Sequence, residues 1–393
     1  MRPTLSRLVL LLSGLALAAS VHAQVTAPKP APLTAAPAPA PAPAAAPAAP
    51  PIEPPLAWHD VTTWGVEGRA FGDMERKRWF DRLPAVADGK VTTAVWNLSR
   101  DSAGMMVRFK TDAATIWADY SLLKEKLNGA NMTPIGASGL DLYARDDAGK
   151  WRWVGVARPD KKVVHQEITG GLAPGFREYA IYLPLYNGIE KLLVGVPPDA
   201  RFEPLPPRAT PPIVFYGTSI THGASASRPG MVHPAILGRR FDRPVINLGF
   251  SGNGRMDAAV GELLVTIDAA VFVIDCLPNM DAAAVREKCA PLVRQLRAAR
   301  PATPIVLVED RRYTNEWIQP KRKTFHTANH AALRESFEQL KAEGVTGLFY
   351  IPGDDLLGAD GEGATDGSHP NDLGFVRQAD AMEPVLRAAL AGR

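Results

Sequence analysis

Two short stretches, far apart in the chain, hold the residue types of nucleophilic catalysis. Gly217-Thr-Ser219 presents a hydroxyl beside a glycine, and Asp366-Gly-Ser-His369 sets a carboxylate three residues before an imidazole. A serine hydroxyl is a weak nucleophile until a base takes its proton. Histidine titrates near neutrality and suits that task. A carboxylate on its other ring nitrogen fixes the tautomer and stabilises the imidazolium formed in reaction. A tetrahedral oxyanion also needs donors. The backbone N–H groups of Ser219 and Gly252 and the side-chain amide of Asn279 are the candidates. Ser251, in the same glycine-rich stretch as Gly252, is a rival nucleophile. His222 and Glu309 are candidate substrate-binding residues at the rim. His326 and His330 stand at helical i, i+4 spacing, but the glutamate of the His-Glu-x-x-His metal motif is missing, so they read as packing or solvated residues. The chemistry calls for no metal and no cofactor.

These residues fall where an α/β fold would put them. After Pro212, five apolar runs read as strands: Ile213–Tyr216, Val245–Asn247, Val271–Ile274, Ile305–Val308 and Leu348–Ile351. Segments 256–267, 281–300, 324–343 and 372–390 between and after them read as helices. Continuous apolar strands alternating with amphipathic helices predict a parallel sheet covered on both faces. In such sheets ligands sit at the carboxyl ends of the strands. Ser219, Gly252, Asn279 and Glu309 all follow strand ends. The expected domain is therefore a flavodoxin-like three-layer α/β/α domain with a five-stranded parallel sheet. The preceding region, 56–207, has many short β-rich runs separated by turn signals and predicts an antiparallel, jelly-roll-like sandwich. Val91–Trp96 reads as one of its strands. Asp141 and Tyr143 share a strand face and read as structural or domain-interface residues. Trp151 and Trp153 share another and read as core.

The ordered set resembles the SGNH (GDSL-like) hydrolases over residues 213–393. The block usually written Gly-Asp-Ser stands here as Gly217-Thr-Ser219. The second-block glycine matches Gly252, the third-block asparagine Asn279, and the final Asp-x-x-His is Asp366–His369. Thr218 and Met280 depart from the usual aspartates. The resemblance implies Ser219, Asp366 and His369 as the triad, with Ser219, Gly252 and Asn279 as the oxyanion hole. Ser138-Gly-Leu-Asp-Leu-Tyr143 is similar to the Gly-x-Asp-Leu-Tyr module that precedes the hydrolase domain in a bacterial subgroup. The outline is also similar to two-domain carbohydrate acetyl esterases. The implied activity is hydrolysis of short acyl esters, acetyl esters of glycans first among them. Lysophospholipase or thioesterase action, acyl transfer and an inactive glycan-binding protein remain open alternatives.

Composition bounds the remainder. The 393 residues carry 44 basic and 41 acidic side chains, a balance that gives no footprint for nucleic acid. Two cysteines cannot make a disulfide scaffold, and two buried thiols are expected. Arg2, Arg7, the apolar run 8–19 and the small residues up to Ala23 predict a cleaved signal peptide, residues 1–23, and a periplasmic or secreted protein without a membrane span. Of 36 prolines, twelve lie between Pro28 and Pro55. Residues 24–55 thus read as an extended Ala/Pro linker. A second proline cluster, 204–212, marks the expected boundary between a domain of residues 56–207 and one of residues 208–393.

Overall fold

In a computed structural model, residues 54–391 are described. The expected signal peptide and all but the last two residues of the Ala/Pro linker lie outside them.

The first nine strands are short and antiparallel: β1 (Ala57–Asp60), β2 (Met106–Thr111), β3 (Thr115–Leu122), β4 (Asp141–Arg145), β5 (Trp151–Val156), β6 (Val163–Gly170), β7 (Arg177–Tyr182), β8 (Ile189–Val196) and β9 (Phe202–Leu205). They form two sheets, β1-β8-β3-β6 and β5-β4-β7-β2-β9. Strand β3 shows why they face each other. Its Ile116, Ala118, Tyr120 and Leu122 are buried and the residues between them are half-exposed, the period-two pattern of a strand with one face in a core. These side chains meet Val107, Phe109, Leu142, Tyr179 and Ile181 of the other sheet. The result is a β-sandwich. Two short helices, α1 (Thr93–Leu98) and α2 (Pro134–Ser138), lie in its connections.

Helix α1 corrects the expectation of a strand at Val91–Trp96. Thr92 caps it, its hydroxyl accepting from the Val95 N–H at 3.2 Å. Val95 and Trp96 then pack into the core of the following α/β region. A cap and tertiary burial override the β preference of the local residues.

The second region runs β10 (Ile213–Gly217), α3 (Ser219–His222), α4 (His233–Arg240), β11 (Val245–Gly249), α5 (Ala258–Leu264), β12 (Val271–Asp275), α6 (Ala282–Ala299), β13 (Ile305–Val308), α7 (Pro320–Ala342), β14 (Leu348–Ile351) and α8 (Asp372–Leu390). Its five strands are parallel in the order β11-β10-β12-β13-β14. That is the 2-1-3-4-5 order of flavodoxin-like sheets. One face is covered by α5, α6 and α7, through side chains such as Val260, Val293 and Leu333. Helices α4 and α8 cover the other, through Ile236, Phe375 and Met382. The three-layer α/β/α domain is thus present, with strand order reversing at β10, the strand that delivers Ser219.

The two regions are not separate bodies. Residues Glu53–Arg393 form one compact unit. Phe71, Leu83, Val91 and Val95 lie in the same core as Val214, Leu248 and Phe272. Met106, Tyr143 and Tyr182 lie in the core beneath α4 and α8.

Candidate active site

Strand β10 ends at Gly217, and the chain turns at once into α3. A Cβ on Gly217 would come within 2.1 Å of the Thr221 hydroxyl and 2.8 Å of the Asp275 carbonyl. Only glycine lets the chain turn that tightly. Thr218 takes the cap position, its hydroxyl accepting from the Ile220 N–H at 3.3 Å. This gives the residue that departs from the family aspartate a local structural task. Ser219 follows as the first residue of α3, where the geometry of a helix leaves its N–H without an intrahelical acceptor.

The turn between β14 and α8 brings the candidate base. Ser219 Oγ lies 2.9 Å from His369 Nε2. His369 Nδ1 lies 2.8 Å from Asp366 Oδ2. The other carboxylate oxygen of Asp366 accepts from the N–H groups of Ser368 at 3.0 Å and His369 at 2.8 Å. Burial pushes the Asp366 pKa up, but the His369 N–H, its imidazole and the Ser368 N–H outweigh that and hold it below the usual range. Asp366 is therefore charged at neutral pH. The constellation can take a proton from the serine hydroxyl and stabilise the imidazolium that results.

The candidate oxyanion donors come from two neighbouring strand ends. Gly252, in the turn after β11, has a φ of 71°. Asn279 follows β12, and the amide orientation that satisfies its neighbours places the oxygen to accept from the N–H groups of Asn253 at 3.0 Å and Gly254 at 3.2 Å, with Nδ2 turned the other way. Gly254 fits because a Cβ there would lie 1.9 Å from the Gly217 carbonyl. Glycines thus pack the two loops directly against each other. Ser251 shares this loop, and its side chain faces the Tyr186 hydroxyl. The imidazole instead meets Ser219.

Two expected rim residues sit elsewhere. His222 is fully buried, stacked on Tyr186 with ring centroids 4.1 Å apart. Its Nε2 lies 3.4 Å from Arg82 and 3.7 Å from Asp101. Burial, then the charges of Arg82 and Lys124, push its pKa well below the ordinary value. It is a neutral strut at the end of α3, buried away from the surface. Glu309 is 1% exposed, and its carboxylate accepts from Tyr350 at 2.6 Å, Arg334 at 2.6 Å and the Gly353 N–H at 2.8 Å. With its oxygens engaged by the protein, it fixes the ends of β13 and β14.

Other expectations resolve in the same way. His326 and His330 are buried in a carboxylate network with Glu316, Asp310 and Glu309. No group of three or more His, Cys, Asp or Glu side chains fit to hold a metal occurs among the described residues. Cys276 and Cys289 are buried free thiols. Asp141 accepts from Arg228 at 2.8 Å, the Gly230 N–H at 2.8 Å and Trp153 Nε1 at 3.0 Å, so this strand residue grips the loop that follows α3. Trp153 is half-exposed over Arg228, outside the core it was expected to fill.

Several residues around the site carried no sequence signal. The Tyr186 hydroxyl donates to the Ser219 carbonyl at 3.3 Å. Arg82 donates to the carbonyls of Asn247 at 3.0 Å and Gly249 at 2.8 Å, holding the end of β11. Burial lowers the Arg82 pKa to about 10, with Asp101 opposing the shift. Both residues come from the N-terminal half, outside any motif. Asp275 could have been found, as a carboxylate ending a buried strand.

Two families match the chain. Residues 210–387 match the GDSL-like Lipase/Acylhydrolase family, and residues 56–202 match the N-terminus of SGNH-hydrolase-type esterases. A protein of Bacteroides ovatus described as a GDSL-like lipase is 33% identical, with a TM-score of 0.81 over 86% of this chain and 98% of its own. A salicylyl-acyltransferase from a tetracycline biosynthetic pathway shares the fold at 18% identity and a TM-score of 0.68, over 86% of this chain and 98% of its own. A family two carbohydrate esterase from Cellvibrio japonicus does so at 14% and 0.53, with the same coverage. No curated protein matches the sequence. The chain belongs to the GDSL-like lipase/acylhydrolases, enzymes that hydrolyse esters. Within them it is of the SGNH type that carries the Gly-x-Asp-Leu-Tyr module ahead of the hydrolase domain.

Proposed function

We propose that the protein is an exported serine esterase that removes short acyl groups, acetyl above all, from carbohydrate. The carrying observation is the continuous relay from Ser219 through His369 to Asp366, with distances of 2.9 and 2.8 Å. Ser219 Oγ attacks the ester carbonyl as His369 Nε2 takes its proton. The N–H groups of Ser219 and Gly252 and the Asn279 amide receive the oxyanion. The alcohol leaves with the proton from His369. Water then attacks the acyl-enzyme with His369 again as base, and the acid departs.

Solvent access favours hydrolysis over transfer. The side chains of His369 and Asp366 are 26% and 42% exposed, so water reaches the base. Acyl transfer requires a site that keeps water from the acyl-enzyme. Support for a sugar substrate comes from the carbohydrate esterases that share the fold and from Trp317. That ring is 83% exposed, in a segment whose Thr314 N–H bonds the Gly367 carbonyl in the Asp366–His369 turn. An open indole face is a natural stacking surface for a sugar ring. The basic start, apolar run and small residues of segment 1–23 support export. No helix among the described residues is long and apolar enough to cross a membrane.

The test is turnover of aryl acetate, butyrate and octanoate, then of acetylated xylan, by wild type and Ser219→Ala. We expect acetate to be preferred and the variant to lose activity by at least about 10³-fold. Equal rates for the two proteins would remove Ser219 as the nucleophile, and a preference for octanoate would point to a lipid substrate.

A further inference from the structure

We propose that Arg311 is a positioning residue for the base: its guanidinium ties the turn that carries Asp366 and His369 to the segment that leaves β13. The inference rests on the roles of Ser219, His369 and Asp366 proposed above.

Arg311 lies three residues beyond the end of β13, on the same rim as the other site residues, and its side chain is only 3% exposed. Nε donates to the Ser368 carbonyl at 2.9 Å, and Nη2 donates to the Ser368 hydroxyl. Ser368 in turn donates its N–H to Asp366 Oδ1 at 3.0 Å. One residue is therefore held from both sides, by Arg311 and by the carboxylate that orients the imidazole. The neighbouring Gly367 carbonyl is held by the Thr314 N–H at 3.0 Å. Two consecutive carbonyls of the turn are thus fastened to the segment that leaves β13.

On its other side the guanidinium pairs with Asp310. Its charge also acts on Asp275, whose carboxylate accepts from the Thr221 hydroxyl of α3 at 2.7 Å. Arg311 thus fastens the turn that carries the base to the segment that leaves β13, with its charge felt by the carboxylate that holds α3. The turn and α3 come from opposite ends of the α/β region; a further tie lies beyond the turn, where the Ser227 N–H, in the loop after α3, donates to Asp372 of α8 at 2.9 Å. The planar fork of arginine can hold a carbonyl and a hydroxyl at once, whereas a lysine ammonium keeps the charge without the fork. A displacement of about 1 Å between reacting groups can cost about 10²-fold in rate.

The experiment uses the full chain, with Arg311→Met, Arg311→Lys, Asp366→Asn and Ser219→Ala. It measures kcat and KM on aryl acetate, the melting temperature, and the low-field proton resonance of His369 Nδ1–H. Wild type should show that resonance, and Asp366→Asn should lose it. For Arg311→Met we expect kcat to fall about 10²-fold with KM within about threefold, and the resonance to broaden or move upfield. Arg311→Lys should recover less than about tenfold of that loss, because charge alone does not restore the two bonds. If the methionine variant fails to fold, the lysine variant decides: a kcat loss above about tenfold, at unchanged KM and native melting, supports the role. A folded Arg311 variant with wild-type kcat, or with an unmoved resonance, overturns it. An active Ser219→Ala would instead overturn the nucleophile. An inert Ser219→Ala beside fully active Arg311 variants would sink only the role of Arg311.

Discussion

Asn279 is the residue whose part is least obvious from its type alone. An asparagine after a strand is commonly a turn former. Here its oxygen is fixed by two backbone N–H groups, at 3.0 and 3.2 Å, in the loop that also supplies Gly252. In the proposed oxyanion role the amide is therefore oriented before any substrate arrives, and preorganised donors of this kind act on the transition state at no cost of reorganisation. Asn279→Ala should lower kcat about 10²–10³-fold with little change in KM, while Asn279→Asp should do no better, since it replaces a donor with a charge that repels the oxyanion. Steady-state kinetics on aryl acetate check this, and an unchanged kcat for the alanine variant would take Asn279 out of the oxyanion hole. His222 and Glu309 show the converse. Their positions in the sequence are right for substrate contact, but burial and internal partners remove them from it. Which way a strand-end side chain points depends on what packs against it, and for His222 that partner is Tyr186, more than thirty positions away.

The elements that hold the site meet at Asp275, where β12 touches α3. Its carboxylate is buried with one hydrogen bond, from Thr221, and with neutral His233 3.9 Å away. Burial raises its pKa to about 7, against the pull of Thr221 and Arg311. A carboxyl whose folded pKa exceeds its unfolded value of about 3.9 contributes stability that is complete below that value and lost as pH rises through the folded one. Relative to Asp275→Asn, which cannot ionise, wild type should therefore lose melting temperature as pH rises from about 4 to about 7. Parallel melting curves for the two proteins would show that Asp275 does not titrate there. The parallel strands were legible because they are short, apolar throughout and bounded by turn residues. The helix expected at 372–390 matches α8 residue for residue, since Asn371 caps it and its apolar face repeats cleanly. The strand expected at Val91–Trp96 failed because its Val91, Val95 and Trp96 join the core that also holds Leu248 and Phe250 of the other region, long-range packing that leaves no periodic trace. Asp366 and His369 were legible since their pairing is local, three residues within one turn. Arg311 was not, because its bond to Ser368 spans 57 positions.

At the scale of the whole molecule, the sandwich is part of the enzyme's core and more than an appended module. The proline cluster at 204–212 suggests a boundary, and the sheets do change there from antiparallel to parallel. The packing ignores that boundary. Phe71, Leu83, Val91, Val95 and Trp96 belong to the same core as the parallel sheet and α5, α6 and α7. Burying five such side chains is worth about 1.5–3 kcal/mol each. Their sum rivals the whole net stability of a typical domain, about 5–15 kcal/mol. Arg82 adds a buried cation whose bonds to Asn247 and Gly249 fix the strand leading to Gly252. Tyr186 braces the Ser219 carbonyl from the same half. Residues 208–393 produced alone should therefore be poorly soluble, lack a cooperative melt and turn over aryl acetate at least about 10²-fold more slowly than residues 56–393. Co-expression with residues 56–207 as a separate chain should restore much of the loss, since the contacts are non-covalent. Soluble yield, near-ultraviolet circular dichroism and turnover measure the outcome. A fragment 208–393 with a native-like melt and full activity would show that the parallel sheet closes its own core and that the sandwich serves only the substrate.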